Sequence, residues 1–246
     1  MKRCNPMKSE RLGWNDLVLP LIIILLAVSF GYYVLRYPQD SIVANYLSVP
    51  FIATMVRQHF FLILVSASLA IATSVPLGII LSRPSMKIIR PFFVGVINIG
   101  QTIPSLAVIA LFVGILGIGA RTAIFALWVY SLLPILNNTI AGLTGVSPSV
   151  IDSAKGMGMT KFRCLFLVEL PIAVPVIMAG IRTAVVINVA TAVIAAYVGA
   201  GGLGDIIIAG KNINRWQILL LGAGYASMIA LLLDHILGLV ERKLTP

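Results

Sequence analysis

Charged side chains are scarce in this chain, and the scarcity itself limits the class of protein. Only 11% of the 246 residues are Asp, Glu, Lys or Arg, whereas 59% are hydrophobic. A soluble domain would carry about 25% charged residues. Uncharged apolar runs longer than about 18 residues are typical of bilayer-spanning segments. The sequence therefore excludes a soluble globular domain and predicts an integral membrane protein in contact with the lipid bilayer.

Groups that support catalysis are also sparse. The chain has 8 acidic residues and 2 His, and only Glu169 and Asp234 fall near membrane depth. No Gly-Lys-Ser loop for phosphate is present, and we interpret the glycine-rich stretch 199–204 as a tight turn or a close helix contact. We therefore predict a non-catalytic chain without a cofactor. The scarcity of intramembrane carboxylates also argues against a proton- or sodium-coupled secondary transporter.

Cysteine occurs only twice, as Cys4 in the N-terminal tail and Cys164 in a basic insert. We expect both to be cytoplasmic and reduced, without a disulfide, and no Cys or His spacing predicts a metal site. The apolar runs are continuous and lack the period-two alternation of a membrane barrel. The predicted fold is therefore an all-α polytopic membrane protein.

The apolar runs predict about six transmembrane helices. They cover approximately 17–35, 60–82, 91–120, 122–143, 168–196 and 216–239. The third run is too long for one straight crossing of a core about 30 Å thick, and its interruption at 100–104 predicts a kinked or tilted helix. The first run follows a basic tail as a signal peptide would, but no small-x-small cleavage site follows it, so we expect a retained anchor.

The basic residues predict the orientation in the membrane. The N-terminal tail, the 83–90 turn, the 147–163 insert and the C-terminus together hold twelve Lys and Arg residues, and the alternate connections hold five. Both termini and the insert are therefore predicted to be cytoplasmic. Because the net charge of +10 is spread between spans, it indicates topology and not a nucleic-acid partner.

The insert between the fourth and fifth spans is predicted to be structured. Ser147 can cap a short helix that has Pro148 at its first position. Gly156 and Gly158 can end that helix, and Thr160 can cap a second one that runs towards the membrane. A structured, amphipathic and basic insert indicates a docking surface. An ordinary cytoplasmic loop is the alternative.

A few polar or helix-bending residues inside the spans are candidates for a translocation pathway. Arg182 is the one deep charge, although a long Arg side chain can equally satisfy carbonyls within a bundle. Asn and Gln side chains can also join helices by hydrogen bonds, and prolines can simply bend them. The pathway candidates are Gln101, Pro104, Asn137, Asn138, Arg182 and Asn188.

The insert resembles the EAA loop of ABC-importer permeases. That loop reads Glu-Ala-Ala, then Gly at the seventh position and a later Leu-Pro. Here Asp replaces Glu and Ser replaces the first Ala. The resemblance implies a coupling helix that is seated in a cleft of an ATP-binding subunit. The residues that would form this coupling site are Asp152, Ser153, Ala154, Gly156, Gly158, Leu170 and Pro171.

A narrower resemblance points to the osmoprotectant branch of these permeases, which handles glycine betaine, carnitine and choline. The matching blocks are QTIPSLA (101–107), LLPILNNT (132–139), AKGMGM (154–159), VELPIAVPVIMAGIRTA (168–184) and GAGGLGD (199–205). The resemblance covers about residues 55–240. It implies a type I ABC-importer transmembrane domain at 55–242, preceded at 1–54 by a cytoplasmic tail, an additional transmembrane helix and an external connection.

The resemblance also implies the partners and the mechanism. Two permease copies, or this chain and a paralogue, would form the pathway in the cell membrane. A separate ATPase would bind ATP and drive alternating access, and an extracytoplasmic binding protein would deliver the solute. The aromatic cage for a quaternary ammonium group is expected in the binding protein and not in these spans. The alternatives are a permease of the same fold for methionine or a sulfonate, and a self-sufficient channel or secondary transporter.

Overall fold

A computed structural model describes residues 14–245, with side chains from residue 17 onward. In this part of the chain every regular element is helical, which confirms the predicted all-α fold. The α-helices are α1 (Trp14–Arg36), α2 (Ser41–Tyr46), α3 (Val49–Ser82), α4 (Arg90–Thr102), α5 (Ser105–Leu116), α6 (Ala120–Thr144), α7 (Pro148–Gly156), α8 (Lys161–Cys164), α9 (Leu170–Ala192), α10 (Leu203–Asn212) and α11 (Trp216–Leu244). The prediction for Cys4 lies outside the described residues, and Cys164 is buried.

Five helical segments are long and apolar enough to cross a membrane, and there are six if a bent pair of helices counts as one span. Four of the five are α1, α3, α6 and α11, and the fifth runs continuously from α8 through a π turn (Leu165–Glu169) into α9. The sixth consists of α4 and α5. The prediction of about six spans is therefore confirmed.

The third span is broken, so the prediction of one kinked or tilted helix was wrong. The axes of α4 and α5 differ by 96°. Pro104 lacks an N–H, and a residue that precedes proline is disfavoured in the helical region. Accordingly Ile103 is extended (φ −74°, ψ 130°), which ends α4 at Thr102.

The second span begins earlier than the apolar run suggests. Its helix starts at Val49, where the Oγ of Ser48 accepts a hydrogen bond from the Phe51 N–H at 3.4 Å. Most of the predicted polar connection 36–59 is therefore helical. The predicted boundary between residues 54 and 55 falls inside α3, and the division into two regions stays a prediction.

The centre of the bundle is formed by α3, α6 and α9, which approach closely at small residues. A Cβ placed on Gly180 of α9 would lie 2.5 Å from the Cβ of Asn138 and 2.8 Å from the carbonyl oxygen of Pro134, both on α6. Only glycine permits this approach, as expected for helices that associate through close backbone contact in a bilayer. The first helix, α1, lies outside this centre against α11, where the Tyr225 hydroxyl donates to the Ala27 carbonyl at 3.1 Å.

Candidate coupling and translocation sites

The insert forms a short helix, α7, at the predicted position. Ser147 is its N-cap residue and Pro148 is its first residue. The Ser147 hydroxyl lies 2.8 Å from the Ser149 hydroxyl and does not cap a backbone N–H of α7. The helix therefore begins where the sequence indicates, but proline geometry sets its start without help from a side-chain cap.

The C-terminal end of α7 is a Schellman motif. The Met159 N–H donates to the Ala154 carbonyl at 3.2 Å, and the Gly158 N–H donates to the Lys155 carbonyl at 2.9 Å. This pattern requires a left-handed residue after the cap, and Gly158 has φ +78°. No atom lies within 4 Å of a Cβ placed on Gly158. Glycine is therefore needed here for its backbone conformation and not for space.

The two sides of α7 have different environments. Ala154 is 1% exposed and faces the protein, whereas Asp152 and Lys155 are exposed and form an ion pair at 3.0 Å within the helix. Such a surface pair contributes only about 0–1 kcal/mol. The Asp152 carboxylate could therefore exchange its partner at little cost.

A cavity of about 260 Å³ lies between α7 and the π turn of the fifth span. Its lining residues are Ser149, Val150, Ser153, Ala154, Met157 and Val168. The helix that follows, α8, begins at Lys161, and the hydroxyl of its N-cap residue Thr160 accepts a hydrogen bond from the Arg163 N–H at 3.3 Å. This cap confirms the predicted second helix of the insert and ties α7 directly to the fifth span.

Leu170 and Pro171 stand where a π turn returns to α-helical geometry. Leu170 donates its N–H to the Leu165 carbonyl, five residues back. Pro171 has no N–H to donate, and its ring would clash with a carbonyl in a regular helix. The π turn ends just before this proline, and such bulges recur at functional sites. The Leu-Pro pair of the motif thus marks a change of helical pitch.

A buried ion pair holds this region to α3, and the sequence analysis did not predict it. Glu169 is 6% exposed, and its Oε2 accepts a hydrogen bond from Arg83 Nη2 at 2.6 Å. Arg90 binds the end of the same helix, since its Nε donates to the Leu81 carbonyl at 2.7 Å. A buried carboxylate requires a cationic partner, but nothing in the sequence selects Arg83 among the basic residues predicted at this end.

At the break between α4 and α5, Gln101 and Pro104 lie beside α6. Gln101 Nε2 donates to the Tyr130 carbonyl, and the Tyr130 hydroxyl donates in return to the Ile103 carbonyl. The Tyr130 carbonyl lacks its usual helical partner because residue 134 of α6 is a proline, and Gln101 supplies a donor in its place. Gln101 is half-buried and Pro104 is exposed.

Asn188 lies at the centre of the bundle, where it joins three helices. It is fully buried, and its Oδ1 accepts from the Ser131 hydroxyl of α6 at 2.8 Å. Its Nδ2 donates to the Ser66 hydroxyl of α3 at 3.0 Å. The Ser66 hydroxyl donates to the Leu62 carbonyl of its own helix, and the single proton of Ser131 is shared between the Leu127 carbonyl and the Asn188 amide oxygen. The arrangement matches the helix-joining role that the sequence analysis left open beside a pathway role.

Asn137 and Asn138 point in different directions although they are adjacent. Asn138 packs against Gly180, and its Nδ2 donates to the Pro134 carbonyl of its own helix at 2.8 Å. Asn137 is exposed. Of these two candidates, only Asn137 offers its side chain to a ligand or to another chain.

Arg182 is paired with two carboxylates of α11. Its Nε and Nη2 form a bidentate contact with Asp234 at 2.9 and 3.0 Å, and its Nη1 lies 2.9 Å from Glu241. Bidentate Arg–carboxylate pairs combine charge with fixed geometry. Arg182 therefore clamps α9 to α11, and the lone deep charge of the sequence belongs to a three-residue ion-pair network.

The six pathway candidates lie in different parts of the bundle, apart from Gln101 and Pro104 at the same break, and do not gather around one cavity. The exposed ones are Pro104 and Asn137. A pathway role stays a prediction for all six residues.

At the end of the bundle opposite α7, the glycine-rich stretch folds onto the start of α3. The Gly202 N–H donates to Gln58 Oε1 at 3.0 Å. Gly201 and Gly202 have φ values of +78° and +92°, and a Cβ on Gly201 would lie 2.2 Å from Gln58 Oε1. The interpretation of this stretch as a tight turn with a close helix contact is confirmed.

Comparison with known proteins reveals related permeases. The choline transport system permease protein OpuBB of Bacillus subtilis is 44% identical over 189 residues, which are 77% of this chain and 86% of that protein. The carnitine transport permease protein OpuCB of Listeria monocytogenes is 46% identical over the same length and the same shares. The osmoprotectant import permease protein OsmY of Salmonella typhimurium is 44% identical over 190 residues, or 77% of this chain and 80% of that protein.

The fold has a solved counterpart in an inward-facing structure of the MetNI methionine ABC transporter. The TM-score is 0.73 over 81% of this chain and 100% of the matched chain, at 20% sequence identity. Residues 74–246 also match the family described as binding-protein-dependent transport system inner membrane component. The chain therefore belongs to the family of inner-membrane components of binding-protein-dependent transport systems and has the transmembrane fold of an ABC importer.

Proposed function

We propose that the chain is the permease subunit of an ABC importer for a quaternary ammonium compatible solute such as glycine betaine, carnitine or choline. The observation that carries the proposal is identity above 40% to choline, carnitine and osmoprotectant permeases over at least four fifths of their length. The likeness to the methionine transporter, at 20% identity, supports the fold alone.

In this proposal a separate subunit binds and hydrolyses ATP, and α7 receives the force. The exposed Asp152 of α7, the rigid Schellman end at Gly158 and the cap at Thr160 support this role. A short helix with two fixed ends transmits a displacement to α9 better than a flexible loop would. Leu170 and Pro171 would pass that displacement on at the π turn.

The other proposed partners are a second permease copy or a paralogue and an extracytoplasmic binding protein. The permeases would enclose the pathway between them, and the exposure of Asn137 supports its place there. Asn138, Arg182 and Asn188 would then hold the helices of the pathway in place without lining it. The end that carries α7 would face the cytoplasm together with both termini, by the excess of basic residues on that side.

Uptake measurements test this function directly. A bacterial strain that lacks other betaine uptake systems would express the chain with its ATPase and binding protein at high osmolarity. We expect ATP-dependent uptake of radiolabelled choline, carnitine or glycine betaine. Uptake of methionine or a sulfonate instead would overturn the solute assignment. Solute flux through proteoliposomes without any ATPase would overturn the importer assignment in favour of a channel or secondary transporter.

A further inference from the structure

A cavity with aromatic walls lies at the end of the molecule opposite α7. Its volume is about 370 Å³, within the usual size range of small-molecule sites, about 300–1,000 Å³. Its lining residues are Tyr46, Phe51, Ala196, Tyr197, Asp205, Ile208, Ala209 and Asn212. They come from α2, the first turn of α3, the turn that follows α9 and α10.

Three aromatic rings from three segments contribute to this cavity. Tyr46 and Phe51 meet edge to face, with ring centroids 5.3 Å apart and planes at 74°. They therefore form two walls that stand nearly at right angles. Tyr197 belongs to the short 3-10 turn Ile194–Val198 and is 58% exposed. Nearly perpendicular rings present π faces in more than one direction, which a single stacked pair cannot do.

One carboxylate, Asp205, also lines the cavity. Among the residues that the structure describes, no Lys or Arg forms an ion pair with it, in contrast to Asp40, which is paired with Arg215 at the same end of the bundle. Burial raises the pKa of Asp205 above its usual range. Burial, followed by the charge of Asp205, also raises the pKa of the Tyr46 hydroxyl. The carboxylate and the ring are therefore close enough to interact.

This combination matches one class of ligand. A half-buried carboxylate without an ion-pair partner is unfavourable and attracts a cation. Aromatic faces attract cations as well, most effectively those whose charge is spread over methyl groups, as in quaternary ammonium compounds. A strongly hydrated ion such as ammonium would instead require several hydrogen-bond acceptors, and the cavity wall is dominated by rings and aliphatic side chains.

We propose that this cavity is an outer binding site for a quaternary ammonium cation, which Tyr46, Phe51 and Tyr197 surround and Asp205 neutralises. The choice of solute class rests on the proposed function. The site favours choline, which carries a net positive charge, over zwitterionic glycine betaine, whose own carboxylate is repelled by Asp205. Asp205 is thus a specificity-determining residue.

We expected an aromatic cage in the binding protein and not in the spans, and this cavity would be a further cage on the permease, outside its spans. The three ring residues and Asp205 lie in connecting segments or in the first turn of a span, at the end where a binding protein would dock. They are distant in sequence, from residue 46 to residue 205, so no single local motif contains all four. Only the folded chain brings them together.

Equilibrium binding to the full chain in lipid nanodiscs, without ATP, ATPase or binding protein, tests the site. The probes are radiolabelled choline, glycine betaine and 3,3-dimethyl-1-butanol, the uncharged isostere of choline. We expect saturable choline binding, weaker binding of glycine betaine and none of the isostere. Because this comparison uses the unaltered chain, it does not depend on whether any variant folds.

Variants then assign the contacts. Asp205→Asn is expected to weaken choline binding about tenfold and to abolish the preference over glycine betaine. Tyr46→Leu should weaken binding about fivefold, whereas Tyr46→Phe, which keeps the ring, should retain it. Tyr32→Leu is the matched control, because Tyr32 is 66% exposed but lies on α1 outside the cavity, and it should bind choline normally.

The outcomes separate this inference from the proposed function. Equal binding of choline and its isostere, or unchanged binding in Asp205→Asn, would overturn the cation site. Uptake by the complete importer without saturable binding to the chain would also overturn it, while the importer function would stand. Choline binding that depends on Asp205, in a protein that imports no quaternary ammonium solute, would support the site and overturn the function.

Discussion

At the scale of single residues, the ion pair between Arg83 and Glu169 is the contact on which the region around the π turn depends. Glu169 has a side chain that is 8% exposed, and Arg83 has one that is 32% exposed. Removal of one partner from a buried pair costs about 3–5 kcal/mol, because the other charge stays desolvated. The partial exposure of Arg83 lets water reach it, so the loss should fall at or below the lower limit of that range.

We therefore predict that Glu169→Leu lowers the thermal unfolding midpoint of the detergent-solubilised chain clearly, and that Arg83→Met in the same chain partly restores it. The double variant replaces both charges and leaves neither unpaired. Unfolding monitored by size-exclusion fluorescence would give the midpoints. Strictly additive losses would mean that the two residues do not depend on each other. Lys155→Met is the control, since it removes an exposed ion pair and should have little effect.

A second prediction at this scale concerns Asn188. Asn188→Leu removes hydrogen bonds to Ser66 and Ser131, whose hydroxyls can still bond to carbonyls of their own helices. Interhelical hydrogen bonds in membranes contribute on average about 0.6 kcal/mol each, so we expect a loss of about 1 kcal/mol. The KM for uptake should not change, because the amide is enclosed. A changed KM with unchanged thermal stability would instead indicate that Asn188 lines the pathway.

At the scale of the elements, α7 provides the sharpest test of coupling, because two of its glycines differ in one property. Gly156 and Gly158 both have empty space around the position of a Cβ, but only Gly158 has positive φ, at +78°. An L-residue in the left-handed region costs about 1–2 kcal/mol. Alanine at position 158 should therefore unwind the end of α7, whereas alanine at position 156 should preserve it.

We predict that Gly158→Ala reduces ATP-dependent uptake several-fold while its membrane insertion stays normal, and that Gly156→Ala transports as the unaltered chain does. Uptake and ATPase activity of the assembled importer would be measured side by side. In Gly158→Ala we expect the ratio of transported solute to hydrolysed ATP to fall. The same ratio in both variants would contradict a coupling role for the Schellman end.

The elements also differ in how far the sequence predicts them. The start of α7, its end at Gly158 and the cap at Thr160 depend on neighbouring residues, and all three were predicted correctly. The early start of α3 was not, because Arg57, Gln58 and His59 are polar residues that do not indicate a span, and only tertiary packing buries His59 completely. Polar side chains are therefore a poor guide to the start of a helix when segments distant in sequence bury them.

The break between α4 and α5 is also only partly predictable from local sequence. Pro104 predicts an interruption but carries no information on the angle. The 96° bend accompanies reciprocal hydrogen bonds between Tyr130 on α6 and the chain around the break. A partner on another helix thus helps to fix the geometry, which explains why a kinked or tilted helix was expected and two separate helices were found.

At the scale of the whole molecule, the two ends of the bundle are built differently. One end carries α7, the Arg83–Glu169 pair and most of the basic residues. The other carries the glycine-rich stretch on Gln58 and the aromatic cavity with Asp205. An importer needs this polarity, because force from ATP arrives on one side and the solute arrives on the other. The residues of each end are scattered along the chain, so the fold alone assembles them.

The orientation of this polarity is the last prediction. Single cysteines would replace Lys155, which is exposed at the end with α7, and Lys211, which is exposed at the end with the cavity. Cys4 would be changed to Ser, whereas Cys164 is buried and should not react. A membrane-impermeant maleimide should label the variant at position 211 in intact cells. It should label the variant at position 155 only after permeabilisation, because twelve basic residues against five favour a cytoplasmic α7. The reverse labelling pattern would place α7 outside, where no ATPase could reach it, and would remove the physical basis of the coupling proposal.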